Sequence, residues 1–128
     1  MNFTEQILYS LMAKTGKNSS EWLPLLQHLQ DTADIMSRLC DEFLSPSFAK
    51  ACGLEENEFK KLAIFLAAVH DIGKAIVVFQ YKIGDKLPER KSALEASGIN
   101  FDVSYDKGEA KQTPHAVSYT HLTLPTKL

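Results

Sequence analysis

From Leu62 to Val69 the chain is apolar around the whole circumference of a helix, and it runs straight into His70-Asp71-Ile72-Gly73-Lys74. A helix with no polar face asks for burial on every side. Gly73 ends it. A histidine and a carboxylate at the end of such a helix are costly to bury unpaired, since one unsatisfied polar group costs about 2–7 kcal/mol. A metal ion removes that cost. Imidazole nitrogen beside carboxylate oxygen suits a hydrolytic divalent metal. The run therefore predicts a buried helix with a metal at its end, and metal-dependent phosphoester hydrolysis as its chemistry.

The flanking sequence predicts an all-α fold. Thr4 to Lys14 reads as a short helix stopped by Gly16, and Lys14 to Ser20 as a polar loop. Ser19 or Ser20 suits the cap of a second helix, with Pro24 in its first turn. Leu25, Leu29, Thr32, Met36, Leu39 and Phe43 recur at helical spacing, so that helix runs to about Leu44. Pro46 ends it, and Ser47 to Cys52 makes a turn or two closed by Gly53. Glu55 to His70 is the central helix, and Glu55, Glu56 and Glu58 suit its positive N-terminus. Ala75 to Ile83 fits either a short helix or an extended run. Lys86 to Ala96 reads as helix, with Pro88 in its first turn and Gly98 as its stop. Gly98 to Thr113 reads as loop, and Pro114 opens a further helix that carries His115.

With 128 residues, 45% hydrophobic and 23% charged, the chain is one globular domain or part of one. A net charge of −2 creates no strong nucleic-acid field by itself, although it allows a local basic patch. No apolar run is long enough to span a bilayer, and Met1-Asn2-Phe3-Thr4-Glu5 has no basic leader region. The expectation is a cytoplasmic protein without a membrane partner. Cys40 and Cys52 form no C-x-x-C pair and read as reduced, buried thiols. Thr15-Gly16-Lys17-Asn18 is not a phosphate-binding loop, because no glycine precedes at the required spacing and no Ser or Thr follows the lysine.

Three elements offer ligands. His28 lies one residue off the Leu25–Leu29 stripe, at the edge of the core-facing side. His70 and Asp71 end the central helix, and His115 follows Pro114. Asp71 is the natural bridge in a dinuclear centre, since its two oxygens can bind ions about 3.5–4 Å apart. His28 and His70 then serve one ion and His115 the other. Such ions lower the pKa of water to about 7, giving a nucleophile for phosphorus at neutral pH. Lys74, three residues past Asp71, points to the same side of the turn and can balance charge on phosphate oxygens. Taken singly, His28 and His115 read more readily as structural or surface histidines, and Lys74 also suits a solvated position. Asp31 stands one turn from His28, either orienting its ring or simply solvated, and the second reading is preferred.

His70-Asp71-Ile72-Gly73-Lys74 resembles the signature of the HD superfamily of metal-dependent phosphohydrolases. Lys14-Thr15-Gly16, then Trp22-Leu23-Pro24-Leu25-Leu26-Gln27-His28-Leu29-Gln30-Asp31-Thr32-Ala33, then Phe79-Gln80 and Thr113-Pro114-His115-Ala116 narrow it. In that order they resemble the HD nuclease domain of the type I CRISPR effector helicase-nucleases, over about residues 14 to 116. The resemblance implies an HD-domain helical bundle that cleaves single-stranded DNA at a two-metal site in antiviral defence. It implies His28, His70 and Asp71 as metal ligands and His115 as a ligand of the second metal. Asp71 and Lys74 are then the catalytic residues, and Mg, Mn, Ni or Co the ions. It further implies a helicase domain or subunit and an RNA-guided targeting complex as partners. The family domain continues with a further histidine pair and a distant aspartate, which this chain lacks.

Residues 117–128 read differently. Val117 to Thr126 resembles the translation of a transposase-type sequencing-library adapter. The expectation is therefore a native portion at 1–116, incomplete at the C-terminus, and a non-native tail in which His121 is not a ligand. A chain cut at Ala116 is expected to have low stability, weak metal binding and little or no activity of its own. Two alternatives stand beside the nuclease reading: an HD phosphohydrolase acting on nucleotides or cyclic nucleotides, and an inactive all-α interaction module.

Overall fold

The computed structural model describes residues 2–18 and 20–101. Six α-helices dominate them: α1 (Phe3–Ser10), α2 (Leu25–Glu42), α3 (Pro46–Ala51), α4 (Glu56–Val69), α5 (Val77–Gly84) and α6 (Pro88–Ala96). A 3-10 turn, Ile72–Ala75, separates α4 from α5, and two short strands, β1 (Met12–Thr15) and β2 (Trp22–Pro24), separate α1 from α2. No single helix among the described residues is long and apolar enough to cross a membrane. The expected loop and helix after Gly98 lie outside the described residues from 102 onward.

Two compact units divide the chain. The first comprises residues up to His28 and from Asp71 onward. Its helix α1 is capped by Asn2, whose side chain accepts from the Glu5 N–H at 2.9 Å while Glu5 accepts from the Asn2 N–H at 2.9 Å. Helix α1 stops at Ser10, where the expected helix ran on to Lys14. Residues 12–15 instead pair antiparallel with β2, Thr15 against Trp22 and Lys14 against Leu23, with an irregularity between Met12 and Lys14. Pro24 closes the strand rather than sitting in the first turn of α2, and Ser20 precedes β2 instead of capping α2; Ser19 lies outside the described residues. Long-range pairing overrides the helical pattern here, because propensity is only a weak prior. The turn between the strands needs Gly16: its N–H donates to the Glu21 carbonyl at 2.8 Å, and a Cβ there would stand 2.5 Å from the Glu21 Cβ. The Leu25 N–H, one of the orphan donors of α2, donates to the Leu11 carbonyl at 2.8 Å.

The buried apolar residues of this unit are Leu11, Met12, Ala13, Leu25, Ile83, Leu87, Leu94 and Phe101. Helix α6 packs on α1 and α5, and α5 packs on β1 and the 3-10 turn. The ambiguous run from Ala75 resolves as helix, and Pro88 and Gly98 mark the ends of α6 as expected, Gly98 with φ +100°.

The second unit, Leu29–His70, holds the rest of α2 together with α3 and α4. Ser45 caps α3 through Ser47 N–H, and Pro46 opens it. Its end is a Schellman motif: Gly53 N–H donates to Lys50 C=O and Leu54 N–H to Ala49 C=O, both at 3.0 Å. Gly53 has φ +69° and nothing within 4 Å of a built Cβ. Gly53→Ala is therefore expected to cost about 1–2 kcal/mol through the backbone alone, seen as a lower urea midpoint at unchanged m value. Cys52 caps α3 at this turn and is exposed, which corrects the expectation of two buried thiols; Cys40 is half-buried.

Helix α4 departs most from expectation. Leu62, Phe65 and Leu66 are 46%, 60% and 49% exposed, and Ala67 is its one buried residue. Its all-round apolar surface is thus not covered on all sides among the described residues. Leu39 and Phe43, expected on the core-facing stripe of α2, are exposed as well. Lys60 pairs with Asp41 at 2.6 Å within this unit, but both groups are solvated, so the pair contributes little.

Candidate metal centre

His28 stands in the first turn of α2, on the segment that β2 delivers. Asp71 follows α4 and precedes the 3-10 turn, with φ −109° and ψ 17°, near the bridge region where many active-site residues sit. Lys74 N–H donates to Asp71 C=O at 2.9 Å, which closes the turn and swings the Lys74 side chain back over Asp71. His28 Nε2 and Lys74 Nζ each lie 2.8 Å from Asp71 Oδ2. The side chains of His28, Asp71 and Lys74 are 28%, 12% and 13% exposed. One carboxylate oxygen thus accepts from an imidazole and an ammonium in a largely desolvated place.

His70 is bonded to Asp71. Its Nδ1 lies 2.7 Å from the Ala67 carbonyl. A carbonyl can only accept, so Nδ1 carries the proton and the neutral ring keeps its lone pair on Nε2, as metal-ligating histidines are commonly held. Among the described residues, His28, His70 and Asp71 each offer one ligand atom, and these atoms lie within 4.8 Å of one another. Atoms sharing an ion at about 2.1 Å stand about 3–4 Å apart. The donor set of two imidazoles and one carboxylate therefore fits a divalent metal after small side-chain adjustments. Asp31 is exposed. His115 lies outside the described residues.

Sequence reasoning assigned no role to Gln80, and the structure gives it one. Gln80 is fully buried on α5. Its Oε1 accepts from Met12 N–H at 2.9 Å, and its Nε2 donates to Met12 C=O at 2.8 Å and Lys74 C=O at 2.7 Å. One side chain thereby ties β1 to the turn that carries Lys74. The Phe79-Gln80 pair was visible in the sequence, but a glutamine in an apolar run signals no partner by itself. Phe79 adds a ring 5.9 Å from Lys74 Nζ.

No solved structure matches significantly. The chain is similar to the CRISPR-associated nuclease/helicase Cas3 of Streptococcus thermophilus, with 35% identity over 127 residues. The alignment covers 89% of this chain but 14% of that protein, so the chain spans about one seventh of its relative. The family model described as "Cas3, HD domain" matches residues 12–126. On this coverage and identity, the chain belongs to the Cas3 HD-domain family.

Proposed function

We propose that this chain is the nuclease part of a CRISPR interference protein and hydrolyses phosphodiester bonds of single-stranded DNA. The observation that carries the reading is the grouping of His28, His70 and Asp71, with Lys74 on the same carboxylate oxygen. His28, His70 and Asp71 would hold one divalent ion, and Asp71 with His115 would serve a second. Ions of the Mg, Mn, Ni or Co class, when bound there, would supply Lewis acidity and a more acidic water. Lys74 places its ammonium where phosphate oxygens gather charge, and Asp71 holds it there until substrate arrives. Ala67 fixes the tautomer of His70. The relative is named a nuclease/helicase, so the partners proposed are a helicase domain or subunit that delivers the strand and an RNA-guided targeting complex.

Incubating the purified chain with a closed circular single strand and each metal in turn tests this reading. The chain is expected to bind metal weakly and to give at most slow cleavage with at least one metal, abolished by a chelator and by His70→Ala. Hydrolysis of nucleotides or cyclic nucleotides with the DNA left intact would replace the reading by a nucleotide phosphohydrolase. Finding no bound metal and no hydrolysis would favour an inactive interaction module.

A further inference from the structure

Trp22 is the single tryptophan of the chain and lies on β2, six residues before His28. The Arg90 guanidinium carbon sits 3.9 Å from the centre of the Trp22 ring. Arg90 Nη2 donates to the Ser10 carbonyl at 3.3 Å, a long bond. Arg90 Nε is buried and has no hydrogen-bond partner among the described residues. Burial also lowers the Arg90 pKa from its ordinary value, although a guanidinium stays charged at neutral pH. A partly desolvated cation with an unfilled N–H favours an anionic oxygen nearby. Beside this stack opens a cleft of about 410 Å³, whose lining includes Ser20, Trp22, Lys86, Pro88, Glu89 and Arg90. Lys86 is exposed and brings a second cation to the rim.

We infer that this cleft is a nucleotide subsite for a single strand, with a base on the Trp22–Arg90 stack and a phosphate on Lys86 and Arg90. The inference rests on the nuclease reading for the identity of the strand. Aromatic and guanidinium planes accept any base, because every base has a π face. The cleft is within the size range of small-molecule sites. The backbone from Trp22 to His28 spans at most about 20 Å, so a strand of a few nucleotides reaches both. Glu89 lines the same cleft and opposes an anion there, against the two cations Lys86 and Arg90. A chain of net charge −2 thus binds polyanion through a local feature rather than a general field.

Trp22 fluorescence reads this site directly. An oligothymidylate titrated into the full chain in chelator, so that nothing is cut, is expected to quench Trp22 saturably. Lys86→Ala should weaken binding about fivefold and lower the salt slope by about 1. Trp22→Ala should weaken it about 5- to 100-fold by anisotropy of a labelled strand. Arg90 also holds Ser10, so Lys86→Ala, at an exposed position, separates binding from folding. Three outcomes overturn the subsite: binding without a change in Trp22 fluorescence, unaltered affinity in Lys86→Ala, or equal quenching by inorganic phosphate. Quenching without cleavage in any metal overturns the nuclease reading and leaves the subsite standing; cleavage without quenching does the reverse.

Discussion

Asp71→Ala is expected to lower metal affinity by at least about 100-fold and, in the metal-free chain, to lower stability by about 3–5 kcal/mol. Two effects meet in one residue. Asp71 is the carboxylate of the ligand group, so its loss leaves two imidazoles that share no anionic oxygen. Its Oδ2 is also the counter-charge for Lys74, whose side chain is only 13% exposed. Removing one partner of a desolvated pair leaves the other charge uncompensated, which is the costly way to break it. The double variant Asp71→Ala/Lys74→Met should recover most of the lost stability, because no charge is then left unpaired. It should recover no metal binding. Urea unfolding with and without metal checks both halves, since a ligand bound only by the folded state raises the midpoint. A wild-type midpoint for Asp71→Ala would show that the Lys74 pair carries no stability.

Gln80→Leu is expected to cost about 3–9 kcal/mol. The substitution removes three hydrogen bonds and leaves Met12 N–H, Met12 C=O and Lys74 C=O without their buried partner. Each abandoned buried group costs about 1–3 kcal/mol. Leucine fills the space but offers no polar atom. Gln80→Glu should fall between wild type and leucine: a carboxylate still accepts from Met12 N–H but repels the two carbonyls. Because the Lys74 carbonyl belongs to the 3-10 turn, the leucine variant should also bind metal more weakly than its residual stability alone implies. A loss under about 1 kcal/mol would show that β1 and the turn are held by something other than Gln80.

Much of the fold was legible residue by residue. Pro46 and Gly53 bracket α3, and Pro88 and Gly98 bracket α6, because these residues act through their own φ angles and missing groups. The His70-Asp71 turn was legible for a similar reason. Lys74 follows Asp71 within one turn, so local backbone geometry alone brings its ammonium to the carboxylate. Gly73 does not end the central helix: α4 stops at Val69, and Gly73 lies inside the 3-10 turn that follows. The strands were not legible. Met12 to Thr15 carry a helical pattern, and only pairing with a segment seven or more residues away makes them extended. Gln80 was silent for the same reason, since its partner Met12 is 68 residues distant. The apolar circumference of α4 predicted burial that Leu62, Phe65 and Leu66 do not show, because composition states what a surface prefers and not what covers it.

The sequence by itself determined the helical class, the ends of most helices, the His-Asp turn and the family, all of which depend on residue type and short spacing. The tertiary structure alone decided three things: that His28, 43 residues away, reaches Asp71 Oδ2; that Gln80 locks β1 to the Lys74 turn; and that Arg90 lies on Trp22. Each is a contact between segments far apart in the chain. Whether such contacts form is set by packing and the pairing of buried polar groups, which no local pattern encodes.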